Sequence, residues 1–335
     1  MDPRADEDRP PRHARIRSVA AYRPRRAVSN RELVAAGGLS TSDAWIRQRT
    51  GIRSRGIAGS RETLAYMGAR AGRLAVTRAG LAAGEIDCVL AATMSHLDAG
   101  TSLARAIADR LPGRPRAAMD VNAACAGFCT GLELARCLIS GRVYRRVLLV
   151  GAERMSDIVD PGDRTTGAIF ADGAGAAVIA AADEPGVGVA AWGSSGEGQE
   201  LLMRAAGPPG RAGAGGRPAY LRMQGPELYR WVMANVPEVA RTAARRAGVG
   251  LDELRAFIPH QANDRMITGL SVALGLPDSV VVARDVIRSG NTSAASVPLA
   301  MDGLLAQHPE LSGELALLVG FGAGVSYAGQ VVRLP

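Results

Sequence analysis

The feature that most limits the folds open to this chain is that its apolar segments recur in the same order twice. RVLLVGAERMS at 146–156 resembles LALLVGFGAGVS at 315–326. In the first half a strand ending near Asp120 leads into a small-residue turn and an apolar helix, AACAGFCTGLELA, and in the second Asp285 precedes SGNTSAASVPLA. Two related units that pack together account for such a repeat, and a pseudo-twofold axis between them would bring the helix starts carrying Cys125 and Asn291 face to face. We place a charged tail at 1–14, a first half at 15–185 carrying the cysteine, and a second half at 186–335 carrying a histidine and an asparagine.

Apolar strands and helical patterns alternate along both halves. Strands are expected at CVLAATMS (88–95), AMDV (118–121), RVLLVGA (146–152) and AGAAVIAA (174–181), with ordered structure starting near Ile16. Helices are expected in ELYRWVMANVPEVARTAARRAG and DRMITGLSVALG, a strand end at AFIPH, and two closing strands in ELALLVGFGAGVSYAGQVVRL. The alternation is an α/β signature. At 335 residues, 47% hydrophobic and only 4% aromatic, the chain is large enough for two fused halves with a core of small residues. AAGPPGRAGAGGRPA at 205–219 breaks the periodicity and reads as a long loop.

The net charge of +8, carried by 40 arginines and no lysine, suits an acidic partner or a phosphorylated cofactor without choosing between them. No basic stripe interleaved with stacking aromatics is present, which argues against nucleic acid. No apolar run approaches the roughly 20 residues that span a bilayer, and the N-terminus lacks an apolar signal core, so a cytoplasmic, non-membrane protein is expected. Cys88, Cys125, Cys129 and Cys137 are too few for a disulfide framework and lack the spacing of a metal site, with three of them on one expected helix.

One cysteine has unusual surroundings. Cys125 sits in AACAGFCTG at the expected N-terminus of an apolar helix, where free backbone amides and the helix dipole would lower the thiol pKa, and Gly127 permits close approach of a substrate. IPHQANDRMI sets His260 at a strand end ahead of a helix, a place where loops display functional groups. GNTSAASVPLA supplies Asn291, whose amide can donate to an oxyanion without titrating. Singly, each has an ordinary reading as core cysteine, structural histidine or turn asparagine.

Together and in this order, AACAGF, PHQAN and GNTSAAS resemble the three active-site signatures of β-ketoacyl-ACP synthase III, a branch of the thiolase superfamily. The resemblance runs from about Arg15 to Pro335 and includes TSDAWIRQRTGIRSR (41–55) and DRTTGAIFADGAGAAV (163–178). It implies a thiolase-like five-layer αβαβα fold of two pseudo-symmetric halves, assembled as a homodimer, with Cys125, His260 and Asn291 as the triad. It further implies that the cysteine takes an acyl group from acyl-CoA, and that malonyl-ACP then loses carbon dioxide and attacks the thioester. No permanently bound cofactor or metal is implied. The backbone amides of Cys125 and Ala323 would hold the oxyanion. Trp45 and Arg164 would sandwich the adenine of CoA, with Arg49 near its phosphates and Asn263, Met223 and Tyr229 along the pantetheine arm. Arg265 would help dock the acyl carrier protein.

Two positions depart from the family pattern. Gly100 stands where the acetyl-using enzymes carry a phenylalanine that reaches the partner's acyl pocket, which implies a primer larger than acetyl. Ala323 stands where glycine is common. YRPRRAVSN and GFGAGVSYAGQ are closer to actinobacterial starter-unit synthases of aromatic polyketide pathways. Two other functions remain open from the sequence: an acyltransferase that passes the acyl group to a hydroxyl or amine, and a catalytically silent carrier-binding subunit.

Overall fold

A computed structural model describes residues 12–97, 100–196, 199–204 and 220–335. The loop expected at 205–219 and most of the expected tail lie outside the described residues. The chain runs β1 (His13–Tyr22), β2 (Arg26–Ser29), α1 (Asn30–Ala35), α2 (Asp43–Thr50), β3 (Ser54–Ile57), α3 (Leu64–Arg78), β4 (Cys88–Ala92), α4 (Leu103–Ala108), β5 (Ala117–Val121), α5 (Gly127–Ser140), β6 (Arg146–Arg154) and β7 (Asp172–Ala182). It continues through β8 (Ala191–Ser194), β9 (Leu202–Arg204), β10 (Leu221–Met223), α6 (Gly225–Ala247), β11 (Ala256–Pro259), α7 (Asp264–Leu274), β12 (Val281–Val282), α8 (Val286–Ser289), α9 (Ser296–Gln307), β13 (Leu315–Gly322) and β14 (Ser326–Arg333). β1 opens at His13, ahead of Ile16, because Ala14 is already buried and pairs with Ala181.

The repeat seen in the sequence is a repeat of topology. The first sheet has the order β1-β7-β6-β4-β5 and the second β12-β11-β13-β14-β8. In each, the two pairs at one end are parallel and the two at the other end antiparallel. β4, CVLAA, is buried at every residue, as expected of a parallel strand covered on both faces. α5 and α9 contact strands of both sheets and form the central layer, α3 and α4 cover the outside of the first sheet, and α6 and α7 lie on the outside of the second. Among the described residues one large apolar core lies between the sheets and one under each outer layer, with two smaller clusters besides. The thiolase-like five-layer α/β architecture implied by the sequence is therefore the architecture observed.

The halves meet head to head at two short turns. Ala124–Ala126 leads into α5 and Ser293–Ala295 into α9, and each turn opens on a non-glycine residue in the left-handed region, Ala124 at φ 47° and Ser293 at φ 49°. Cys125 lies in the first turn rather than on α5 itself, while Cys129 and Cys137 are on the helix. A third connection crosses at Asn291, whose N–H donates to the Ile169 carbonyl and whose carbonyl accepts the Ala171 N–H, at 3.0 and 2.9 Å. Gly290 makes that crossing possible with φ 69° and no room for a side chain: a Cβ there would sit 2.9 Å from Ala171 Cβ and 3.0 Å from Arg55 Cβ.

Left-handed backbone costs a non-glycine residue roughly 1–2 kcal/mol, and a clash in a packed interior typically adds about 1–3. Gly290→Ala should lower the urea midpoint by an amount corresponding to roughly 2–5 kcal/mol. Gly248→Ala, at φ 67° with nothing within 4 Å, should cost only the backbone share. Equal losses in the two variants would contradict the packing described at the crossing.

Candidate active site

A cleft of about 550 Å³ opens at the junction of the halves and has Cys125, His260, Asn291, Phe321 and Gly322 among its lining residues. Cys125 is 2% exposed. Burial pushes its thiol up to about 12, outweighing the Ser293 hydrogen bond that acts the other way. Burial thus works against the lowering expected from the helix start, while Cys125 still lines the cleft. Gly322 brings the strand-end turn hard against Cys125, since a Cβ there would lie 2.6 Å from the Cys125 nitrogen. Ala323 follows directly, half-buried, although Gly322 and not Ala323 lines the cleft.

His260 follows β11 and its N–H donates to the Val319 carbonyl at 2.7 Å. Its ring packs edge-on against Phe321 with centroids 5.2 Å apart, and is wholly buried. Burial drives its pKa down to about 3, so the imidazole is neutral. Ser296 Oγ accepts the Gln261 N–H at 3.3 Å and stands 2.7 Å from His260 Nδ1. Ser296 occupies Nδ1, and with its hydroxyl as the donor the ring proton sits on Nε2. Asn291 is oriented in a comparable way: its side-chain oxygen accepts the Ser293 N–H at 2.9 Å, leaving the amide nitrogen without an acceptor among the described residues. One neutral N–H from each side chain is left available to a ligand.

The residues expected to hold CoA line the same cleft: Trp45, Arg49, Arg164, Met223, Tyr229 and Asn263, with Arg265 beside them. Trp45 and Arg49 share one side of α2, whose N-cap Ser42 accepts the Trp45 N–H. The Arg164 guanidinium already lies over the Trp45 ring at 5.3 Å from the centroid, so a base entering there must replace that contact. Asn263 has a structural role that the sequence reading passed over, because its side-chain oxygen caps α7 through the Met266 N–H at 2.9 Å. Arg265 is exposed and has no ion-pair partner among the described residues. Gly100 is exposed and is not part of the cleft lining in its own chain. Three residues were missed: Ser293, Ser296 and Glu153. The available signal for Glu153 was an acidic residue at the end of an otherwise apolar strand, RVLLVGAE.

Residues 119–196 match the family described as 3-oxoacyl-[acyl-carrier-protein (ACP)] synthase III, and residues 244–334 match its C-terminal family. The chain is 42% identical over 324 residues to a β-ketoacyl-[acyl-carrier-protein] synthase III of Streptomyces glaucescens, covering 96% of this chain and 97% of the relative. A mycobacterial β-ketoacyl-[acyl-carrier-protein] synthase III of Mycobacterium avium is 41% identical over 335 residues, with 97% of each chain covered. Among solved structures, the priming β-ketosynthase of the R1128 polyketide biosynthetic pathway superposes with a TM-score of 0.91 at 43% identity, over 97% of both chains. The 3-oxoacyl-[acyl-carrier-protein] synthase III of Aquifex aeolicus gives 0.87 at 33% identity, covering 96% of this chain and 99% of that one.

A buried neutral histidine makes stability depend on pH in a defined direction. The folded value of about 3 lies below the ordinary 6.5, so acid favours the unfolded chain, and this contribution is lost as pH falls from 6.5 toward 3. Between pH 6.5 and 5 the wild type should lose roughly 2 kcal/mol more than His260→Gln, at about 1.4 kcal/mol per unit. Parallel stability curves for the two proteins in urea titrations would show that the imidazole is not held neutral.

Proposed function

Because this chain belongs to the 3-oxoacyl-[acyl-carrier-protein] synthase III family, we propose that it transfers an acyl group from acyl-CoA to Cys125 and condenses it with malonyl-ACP. Carbon dioxide is lost, and the product is a β-ketoacyl-ACP that starts a polyketide or fatty-acid chain. The observation that carries this reading is the convergence of a buried thiol, a neutral imidazole N–H and an amide N–H on one cleft.

In the first half-reaction the sulfur attacks the thioester carbonyl, and the oxyanion that forms is held by the amides of Cys125 and Ala323. Collapse expels the CoA thiolate. In the second, malonyl-ACP loses carbon dioxide and negative charge builds on its thioester oxygen. His260 Nε2–H and the Asn291 amide donate to that oxygen, and because both groups are neutral they strengthen their bonds as the enolate develops. The carbanion then attacks the Cys125 thioester and the cysteine sulfur leaves.

CoA lies along the outer cleft, with adenine on the Trp45 and Arg164 faces, its phosphates near Arg49, and its pantetheine arm beside Met223, Tyr229 and Asn263. Arg265, exposed at the cleft and unpaired among the described residues, meets the acidic carrier protein. Phe170 and Leu202 continue the cleft into an apolar cluster with Met155 and Leu221. Together with a Gly100 that offers no side chain, this favours a primer larger than acetyl. A second copy of the chain covers the open edge of the first sheet, where β5 ends the strand order and Met119 is 42% exposed.

Intact-protein mass spectrometry with acyl-CoAs from acetyl to branched and C8 chains, followed by malonyl-ACP, tests the reading. Longer acyl groups should label the wild type and not Cys125→Ala, and malonyl-ACP should then remove the label with release of carbon dioxide. A label that leaves to an alcohol or amine without carbon dioxide would identify a simple acyltransferase instead, and no label from any acyl-CoA would remove Cys125 as the nucleophile.

A further inference from the structure

The steps above leave one buried carboxyl unused. Glu153, near the end of β6, has no exposed surface and no ion-pair partner among the described residues. Its Oε1 accepts the Ser293 hydroxyl at 3.0 Å and the Ala294 N–H at 3.4 Å. Its Oε2 accepts the Thr93 hydroxyl and the Ser95 N–H, both at 3.1 Å, and the Ser95 hydroxyl. The Met94 N–H reaches both oxygens at 3.1 and 3.2 Å. Arg154, next in the chain, pairs with Asp157 at 3.3 Å instead.

Ser293 has one hydroxyl hydrogen, and it goes to the carboxylate. Its oxygen is thereby left to accept the Cys125 S–H, at 3.3 Å. Two consecutive hydrogen bonds therefore lead from the nucleophile to Glu153, and among the described residues the thiol is the only other ionisable group in this network. The His260 ring is bonded to Ser296 and stands outside it. Ser293 holds this place with φ 49°, a left-handed conformation that glycine would adopt freely, though without the hydroxyl.

We propose that Glu153, acting through Ser293, receives the Cys125 proton during acylation and returns it to the sulfur when condensation releases the thiolate. In acylation the S–H bond breaks as the S–C bond to the acyl carbon forms. The thiol proton passes to Ser293 while the Ser293 proton passes to Glu153, and the expelled CoA thiolate takes a proton from solvent. In condensation the carbanion left by decarboxylation forms the new C–C bond, the S–C bond breaks, and the same relay runs backward to restore the thiol. One proton is consumed per turnover, on CoA, which matches the loss of the malonyl carboxylate as carbon dioxide. Burial sets the two ends of the relay in opposite states at neutral pH. It holds the thiol near 12, where on the order of one part in 10⁵ would ionise unaided at pH 7, and lifts the carboxyl to about 7, where it can both take and give a proton.

This rests on Cys125 being the acylated residue, so the test includes a reagent that needs no CoA site. Single-turnover acylation and iodoacetamide alkylation of Cys125 are followed by intact mass between pH 5.5 and 9 in the wild type, Glu153→Gln and Ser293→Ala. Wild-type rates should rise through a step near pH 7 as Glu153 ionises. Both variants should acylate at least tenfold more slowly, lose that step, and keep the KM for acyl-CoA. Should Glu153→Gln not fold, Ser293→Ala decides alone, because it leaves the Thr93, Met94 and Ser95 bonds to Glu153 in place. Wild-type rates and profile in Ser293→Ala would overturn the relay. A Glu153-dependent alkylation step in a protein that no acyl-CoA labels would keep the relay and remove the acyl-CoA reading instead.

Discussion

The close approach of two helix-start turns across the junction is the constraint on which the rest of this molecule depends. Cys125 and Ser293 occupy these turns, one from each half, and touch at 3.3 Å. Gly322 presses the end of β13 against the Cys125 backbone, in space where a Cβ would lie 2.8 Å from that of the cysteine. Neither half alone contains both Cys125 and the Ser293 hydroxyl it is bonded to. The duplicated topology therefore does more than fill volume: it converts two ordinary strand-turn-helix connections into one site, with α5 and α9 as the shared central layer.

Burial then sets the chemistry. In a dry site charged forms are penalised, and the thiol, the imidazole and the Glu153 carboxyl all shift toward their neutral states. Neutral donors suit the proposed condensation, in which His260 and Asn291 would meet the enolate without first being charged themselves. The cost of keeping so many polar groups from water is limited by fixed partners: Ser296 for the histidine, the Ser293 N–H for Asn291, and a ring of hydroxyls and amides for Glu153.

Much of this was legible in the sequence because it is local or periodic. Apolar runs gave the strands, the repeat around RVLLVG and LALLVG gave the paired sheets, and the small-residue turns marked where Cys125 and Asn291 lie. Trp45, Arg49 and Arg164 were found through resemblance to known motifs, and they share the cleft. What the sequence hid are properties that exist only after packing. The thiol's elevated value comes from burial by residues of both halves, the capping role of Asn263 from its backbone geometry, and the Glu153 network from contacts between residues 58 to 141 positions apart. A one-dimensional pattern places a residue on an element but does not say which hydroxyl will face it across an interface.

The central claim is that the cysteine and the neutral donors serve successive steps. Rapid-quench measurement of both half-reactions in His260→Ala and Asn291→Ala tests this most directly, reading acyl-enzyme formation by mass and carbon dioxide release from labelled malonyl-ACP. The account predicts acylation within about threefold of wild type and a loss of roughly 10²–10³ in carbon dioxide release, the range for removing one donor to a developing oxyanion. Acylation that falls as far as decarboxylation in both variants would contradict it, and would make the two side chains part of nucleophile activation.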